Sequence, residues 1–411
     1  MAERPTIRPA HESELNAVHD LADLAFHRGS TPLGRERRLA AADEVDTVVA
    51  DDDGLIVGTA AAFPWPMVVP GGGEVPCAAV TGVTVRPTHR RRGVLRALMA
   101  QLTERARERG EPVAALWASE GTIYGRFGFG PATWSRDEHV RVVPEPVLRQ
   151  PAPEPLGVRL LDAAEALPVL PAIHERARGR RPGIMGRPER WWADRVLADE
   201  PEDRGGASPL RVAVAAGDEG YALWRVREGR ETHPVAAFTT VEVQELVAAT
   251  PEAERALFTF VARIDLADEL VLRQRPVDDP LALAPVDARA VRPLEQHEAL
   301  WLRILDLPEA VAARAWAAPV DVVLDVEHPE DELVAGRWAL RAGPDGGAAE
   351  RTERPADLRL HARDLGSVYL GGVALSTLRD AGVVTEETPG ACAALDAALH
   401  VERAPWTLGT F

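Results

Sequence analysis

Between Val80 and Ala100 the chain reads VTGVTVRPTHRRRGVLRALMA, and no other segment constrains the fold as tightly. The β-branched residues through Val83 and Val85 predict a strand, Pro87 stops it, and Val94, Leu95, Leu98 and Leu102 recur at helical spacing after Gly93. A strand that turns through this loop into a helix sets Arg90, Arg91 and Arg92 at the helix N-terminus. Unpaired N–H groups and the positive end of the helix dipole already gather there. Cations stacked on that end are unfavourable unless an anion lies against them, and a glycine lets the main chain approach such an anion closely. The run therefore predicts a phosphate cradle. The competing reading is a solvated basic face.

A chain of 411 residues is too long for one ordinary core, so two or three domains are expected, and the order of elements favours three. Its 46% hydrophobic and 27% charged residues are those of a soluble globular protein. A formal charge of −17 argues against nucleic acid or an anionic membrane as partner and is compatible with an amine. Cys77 and Cys392 are too few for a disulfide framework, which fits a reducing cytoplasm. No run approaches eighteen uninterrupted apolar residues and the first residues lack an apolar leader, so no membrane is expected. His11, His19, His27 and His89 show no metal-ligand spacing, and no metal is expected.

The first part opens with a strand near Thr6 to Arg8 and an amphipathic helix carrying Leu15, Val18, Leu21 and Leu24. Strands at Thr47 to Ala50 and Leu55 to Trp65 join through Asp51–Gly54, a hairpin composition. The basic loop and its helix follow, then a strand from Pro112 to Trp117 and a short helix. Five prolines between Pro144 and Pro155 mark a linker. Past two helical pieces and strands at Leu210 to Ala215, Gly220 to Val226 and Val235 to Val247, the chain repeats itself. VEVQELVAA, PEAERALFTFVARID and ELVLRQRP echo the earlier strand, helix and strand. This copy has TPEAERAL where the first has THRRRGVL, so it is not expected to bind phosphate. A third part begins near Val291, with LWLRILDLPEAVAARAW reading as a helix, strands at Val320 to Glu327 and Leu333 to Ala342, and helices near 365–370, 374–381 and 389–399. Trp191, Trp192, Trp301, Trp316 and Trp338 are expected in the core. Pro405, Trp406, Leu408 and Phe411 make an apolar tail, whereas most chain ends are polar and frayed.

The strand, basic loop and helix resemble the acetyl-CoA site of the GNAT acetyltransferase superfamily, with Arg90 and Gly93 at the first two fixed positions of its R-x-x-G-x-G/A loop and Leu95 at the third. Together with ASEGTIYGRFGFGPAT, LGSVYLGG and the terminal PWxxxxF, nearly the whole chain resembles the Eis-like (enhanced intracellular survival) acetyltransferases, whose own loop carries leucine at that third position. The resemblance implies an α/β (mixed α+β) fold of tandem GNAT-like domains plus a C-terminal sterol-carrier-protein-like α+β domain, with boundaries placed at residues 1–145, 146–290 and 291–411.

The same resemblance implies acetyl-CoA as co-substrate, lying in a splay between Val80–Val85 and Pro112–Trp117. The main chain of Val83, Thr84 and Val85 would meet its pantetheine arm. Arg91, Arg92, Gly93, Val94, Leu95 and Arg96 would hold its diphosphate, and Ser119 and Glu120 would flank the thioester. Tyr124 is implied as general acid and the C-terminal carboxylate of Phe411 as general base. Phe26, Arg28 and Thr410 fall on the acceptor side. Aminoglycoside-acetylating members tend to carry acidic residues where this chain has Arg28 and Thr410, and the lost negative charge weakens a polycation's binding. The expected activity is acetylation of primary amines of a small molecule, aminoglycoside or polyamine in type. Acetylation of protein lysines or peptides, and a non-catalytic lipid or acyl-CoA carrier, are the alternatives. By family analogy the protein is expected to form a homo-hexamer.

Overall fold

The computed structural model describes residues 5–27, 29, 31–233 and 236–411, without the side chains of 203, 230–233 and 236–238. Arg28, expected on the acceptor side, and Val235, the expected start of a strand, lie outside the described residues. Contacts divide the chain into two units. The first holds Met1–Thr133, Ala299–Glu402 and Thr410–Phe411, and the second holds Trp134–Glu298 and Arg403–Gly409.

In the first unit a seven-stranded sheet runs in the order β1 (Thr6–Pro9), β2 (Asp46–Asp52), β3 (Leu55–Val68), β4 (Glu74–Val85), β5 (Val113–Trp117), the strand Leu300–Ile304, and β6 (Gly130–Pro131). Helices α1 (Leu15–Phe26), α2 (Pro32–Ala40), α3 (Val94–Glu108) and α4 (Gly121–Tyr124) accompany it. Val94, Leu98, Leu102 and Ala106, spaced by four, form the buried stripe of α3 and share a core with Val57, Ala60, Val80 and Leu116. A Cβ on Gly58 of β3 would come within 2.9 Å of both Val94 and Leu98, so a side chain there would push α3 off the sheet.

The helix expected over LWLRILDLPEAVAARAW is instead a strand and a shorter helix. Leu300–Ile304 pairs antiparallel with β5, Leu300 opposite Trp117 and Ile304 opposite Val113, and all five residues are buried. A strand covered on both faces shows no alternation, so its apolar run cannot be told from a buried helix by period alone. Asp306 then caps the helix Leu307–Ala313, its carboxylate accepting from the Glu309 N–H at 3.0 Å. A second sheet of five strands includes Val320–Glu327 and Gly336–Gly343, and the helices Ala362–Tyr369, Leu375–Asp380 and Ala391–Leu399 lie where they are expected.

The second unit has its own seven-stranded sheet. Within it Ala236–Ala248 runs parallel to Glu269–Pro276 with the helix Pro251–Ala262 between them in sequence, which repeats the order β4, α3, β5. Both parallel ladders are short: Thr240–Val243 against Glu269–Leu272 here, Cys77–Val80 against Val113–Leu116 in the first unit. The duplication read from the sequence is thus present in strand pairing. The proline-rich run 144–155 belongs to this unit.

Candidate functional site

Past Val80 and Leu116 the strands β4 and β5 have no further pairing with each other, and β4 continues to Val85 with β3 as its strand partner. The ladder with β3 slips at this fork. Ala61 faces Thr81 while Thr59 faces Thr84, so β4 carries one extra residue, with Gly82 at φ 58°. Such a bulge bends its strand. The Thr59 hydroxyl fixes the bend by donating to the Gly82 carbonyl at 2.7 Å and meeting the Thr84 hydroxyl at 2.7 Å. The edge of β4 that carries Val83, Thr84 and Val85 is thereby left to face the fork. A glycine inside a β-rich run is the sequence signal for this bulge, while Thr59 carried no signal at all.

At the end of β4 the basic loop enters α3. Arg91 sits at φ 63° and Gly93 at φ 81°, with nothing within 4 Å of the position a Gly93 Cβ would take. Gly93 has no side chain to satisfy the first helical N–H groups, and the first main-chain bond runs from Ala97 to Gly93 at 3.1 Å. Arg90, Arg91 and Arg92 are exposed and, among the described residues, make no ion pair or hydrogen bond. Open N–H groups, an empty glycine face and uncompensated guanidinium groups together fit a diphosphate. Val94 is buried in the α3 stripe, Leu95 half-buried, and Arg96 exposed and paired with Glu330 at 2.9 Å.

Tyr124 closes α4 and packs in the same core as Val80, Val94 and Leu116, its ring edge-on to Phe129 at 6.2 Å. Burial raises its hydroxyl above the ordinary tyrosine value, a hydrogen bond with Ser119 pulls it back, and the charge of Glu120 raises it further. The hydroxyl therefore stays protonated through neutral pH. Ser119 and Glu120 are themselves exposed, between β5 and α4.

Phe411 lies against the same strand. The Thr81 hydroxyl donates to its main-chain oxygen at 3.0 Å, and its ring meets Trp65 of β3 edge-on at 5.8 Å. Thr81 directly precedes the bulge. Neither Thr81 nor Trp65 was singled out by sequence pattern, because each looks like any strand residue. Phe26, at the end of α1, and Thr410 are partly and largely exposed.

The loop after Tyr124 is backed by a buried histidine. A Cβ on Gly128 would fall 2.7 Å from Nε2 of His328, a nitrogen without a hydrogen-bond partner. Burial and then Arg303, with further help from His361 and Arg107, lower His328 to about 4, against an opposing pull from Asp331. A pKa lowered on folding means that the unfolded chain binds more protons, so this contribution to stability is full above pH 6.5 and is lost as pH falls toward about 4. Thermal unfolding followed between those limits is expected to show a falling midpoint whose slope shrinks in His328→Gln. An unchanged slope assigns the acid sensitivity elsewhere.

A family model described as an acetyltransferase (GNAT) domain matches residues 6–132, a second of the same description matches 183–304, and a sterol carrier protein domain matches 307–408. An uncharacterised N-acetyltransferase of Streptomyces coelicolor is 41% identical over 354 residues, 85% of this chain and 84% of that protein. The N-acetyltransferase Eis of Mycobacterium tuberculosis is 36% identical over 349 residues, 84% of this chain and 83% of its own. The crystal structure of Eis1 from Mycobacterium abscessus superposes with a TM-score of 0.86 at 32% identity, covering 99% of this chain and 100% of that one. Two GNAT domains followed by a sterol carrier domain, at these identities over most of the length, make this chain a member of the Eis-like GNAT N-acetyltransferases.

Proposed function

We propose that the protein transfers acetyl from acetyl-CoA to a primary amine of a small molecule, aminoglycoside or polyamine in type, directly within a ternary complex. Tyr124 acts as general acid and the Phe411 carboxylate as general base. The contact between Thr81 and the main-chain oxygen of Phe411 carries this reading, because it brings an oxygen of the last residue to the strand that forks, which supports its role as acceptor of the amine proton. Acetyl-CoA, when bound, supplies the thioester that the amine attacks. Val83, Thr84 and Val85 offer main-chain partners along β4, and Arg91, Arg92 and the N–H groups from Gly93 to Arg96 take the diphosphate. Ser119 and Glu120 lie beside the reacting end. Phe411 receives the proton that an ammonium must lose before it is nucleophilic, and Tyr124 donates one to the departing sulfur. Phe26 and Thr410 belong to the acceptor side in this reading, and the same role is proposed for Arg28 from the family resemblance alone.

Residues 1–145 would then carry catalysis, 146–290 a degenerate copy, and 291–411 the sterol-carrier-like part with the tail. The family likeness also supports a cytoplasmic homo-hexamer, which light scattering of the purified protein tests. Release of CoA thiol, measured with a polyamine, an aminoglycoside, a monoamine and a lysine peptide, tests the function. Turnover with the peptide alone would replace the small-molecule reading, and no turnover combined with lipid binding would leave a carrier. Arg91→Ala and Arg92→Ala are each expected to raise KM for acetyl-CoA by about 10- to 100-fold, the usual loss of a charge-assisted hydrogen bond. Neither should change turnover of S-acetyl-pantetheine, which has no diphosphate. Equal losses with both acetyl donors would remove the arginines from the diphosphate site.

A further inference from the structure

Two motifs far apart in the sequence meet within the first unit. GTIYGRFGFG runs from α4 through Tyr124 to the start of β6, and LGSVYLGG begins inside the helix Ala362–Tyr369 of the sterol-carrier-like part. They pack main chain against main chain. A Cβ on Gly130 would overlap the Arg363 carbonyl and the Ser367 hydroxyl, and one on Gly366 would overlap the carbonyl of Leu302, the residue opposite Gly130 in the sheet. Neither glycine lies at positive φ, so the close approach of the helix, and not a turn, requires them.

The turn between Tyr124 and β6 is closed from the same side. The Ala362 methyl lies 3.6 Å, and Nε2 of His328 2.7 Å, from the place of a Gly128 Cβ, and Cδ of Arg363 lies 3.6 Å from that of a Gly125 Cβ. Nδ1 of the buried His328 accepts from the Glu330 N–H at 3.4 Å, which leaves the ring proton on Nε2, where no partner meets it. A phenylalanine would avoid that costly unpaired N–H, but it would lose the bond to Glu330 that fixes the ring edge against Gly128. The contact is relayed inward. Phe129, next to Gly128, meets Tyr124 edge-on, and its ring centre lies 6.0 Å from the guanidinium carbon of Arg303, which is itself paired with Asp331 at 2.6 Å.

We propose that the sterol-carrier-like part serves the reaction as the rigid backing of the Tyr124 loop, with His328 as positioning residue for the Tyr124 hydroxyl, a role that needs no lipid. This rests on the reading of Tyr124 as general acid. Gly128, at φ 85°, joins a loop of four glycines between positions 125 and 130 or beside them in α4, and such a loop has many conformations open to it when nothing lies behind it. Closed by His328 and by the start of the helix, it has few. The hydroxyl is then held where a departing sulfur can take its proton.

His328→Asn in the full chain keeps an acceptor near Nδ1 for the Glu330 N–H and removes the ring edge at Gly128, whereas the longer His328→Gln still reaches toward the place of Nε2. With the best amine of the panel, His328→Asn is expected to lower kcat by about 10-fold while KM for acetyl-CoA holds, and His328→Gln to keep most of the native rate. Amide hydrogen exchange over residues 125–130 should rise in His328→Asn and not in His328→Gln. In a Tyr124→Phe chain the asparagine substitution should cost nothing further, since both changes act through one hydroxyl. Ala362→Gly, which strips the other side chain facing Gly128 and spares the core, provides a second route should His328→Asn fold poorly, with a fall in kcat of about threefold expected. Wild-type kcat in His328→Asn and Ala362→Gly, with Tyr124→Phe still impaired, overturns the positioning role and spares the acid. An equal fall on adding His328→Asn to Tyr124→Phe overturns it too, because the loss then travels by another route. Wild-type kcat in Tyr124→Phe overturns the acid, and the positioning with it.

Discussion

Tyr124→Phe is expected to lower kcat by about 10²- to 10³-fold and to leave KM for acetyl-CoA within about twofold, the signature of a group that acts at the transition state alone. The expectation follows from placement. Tyr124 ends α4 directly after the fork, its ring fixed by Phe129 and the core it shares with Val80 and Leu116, and its hydroxyl reaches Ser119. Phenylalanine fills the same volume, so the fold loses only the hydrogen bond with Ser119, about 1 kcal/mol, and unfolding should occur within a few degrees of wild type. Burial gives a second readout. Because it pushes the hydroxyl above its ordinary value of 10.0, the alkaline fall in kcat that belongs to loss of this proton should lie above that pH and be absent from the variant. A Tyr124→Phe enzyme with wild-type kcat would reduce Tyr124 to a packing residue.

The strand, basic loop and helix could be read in the sequence because their logic is local: strand, arginines, glycine and helix are contiguous, and each residue type states its own geometry. The fork above it follows only from the family resemblance, and the bend that opens it could not be read at all. Its bend depends on Gly82 and on Thr59, whose one hydroxyl reaches the Gly82 carbonyl and the Thr84 hydroxyl of the neighbouring strand. The strand Leu300–Ile304 is a stronger case. It joins β5 from nearly two hundred positions away, and the cover on both its faces erased the alternation that would have announced it. The repeat was visible as a pattern of elements, yet the buried charges of the second copy were not. Arg275 reads as an ordinary surface arginine until Glu254, Asp279 and Leu246 are seen around it. The tail shows the same division between composition and destination. Pro405, Trp406, Leu408 and Phe411 announced that it would dock, and nothing in their order announced that Phe411 would meet Thr81, 330 positions earlier.

One glycine added after Phe411 is expected to lower kcat by about 10²-fold or more with acetyl-CoA binding preserved, and deletion of Phe411 should do the same. Each change shifts the terminal carboxylate by one residue, roughly 3.5 Å, beyond the tolerance of a proton transfer that needs heavy atoms about 3 Å apart. The extension removes no side chain, so its effect cannot be assigned to lost packing. Phe411→Ala separates the two contributions differently: it keeps a carboxylate on the same residue and loses the edge contact with Trp65, which makes a smaller fall of about 10-fold the expected result. The ordering of the three chains is therefore the test. A carboxylate that reacts predicts that position matters more than the aromatic ring, with the extended and shortened chains both slower than Phe411→Ala. A tail that only docks reverses the order for the extended chain, which keeps both Trp65 and the Thr81 hydroxyl as partners for an unchanged Phe411 and should then turn over as the native protein does, while the shortened chain and Phe411→Ala both lose the ring contact.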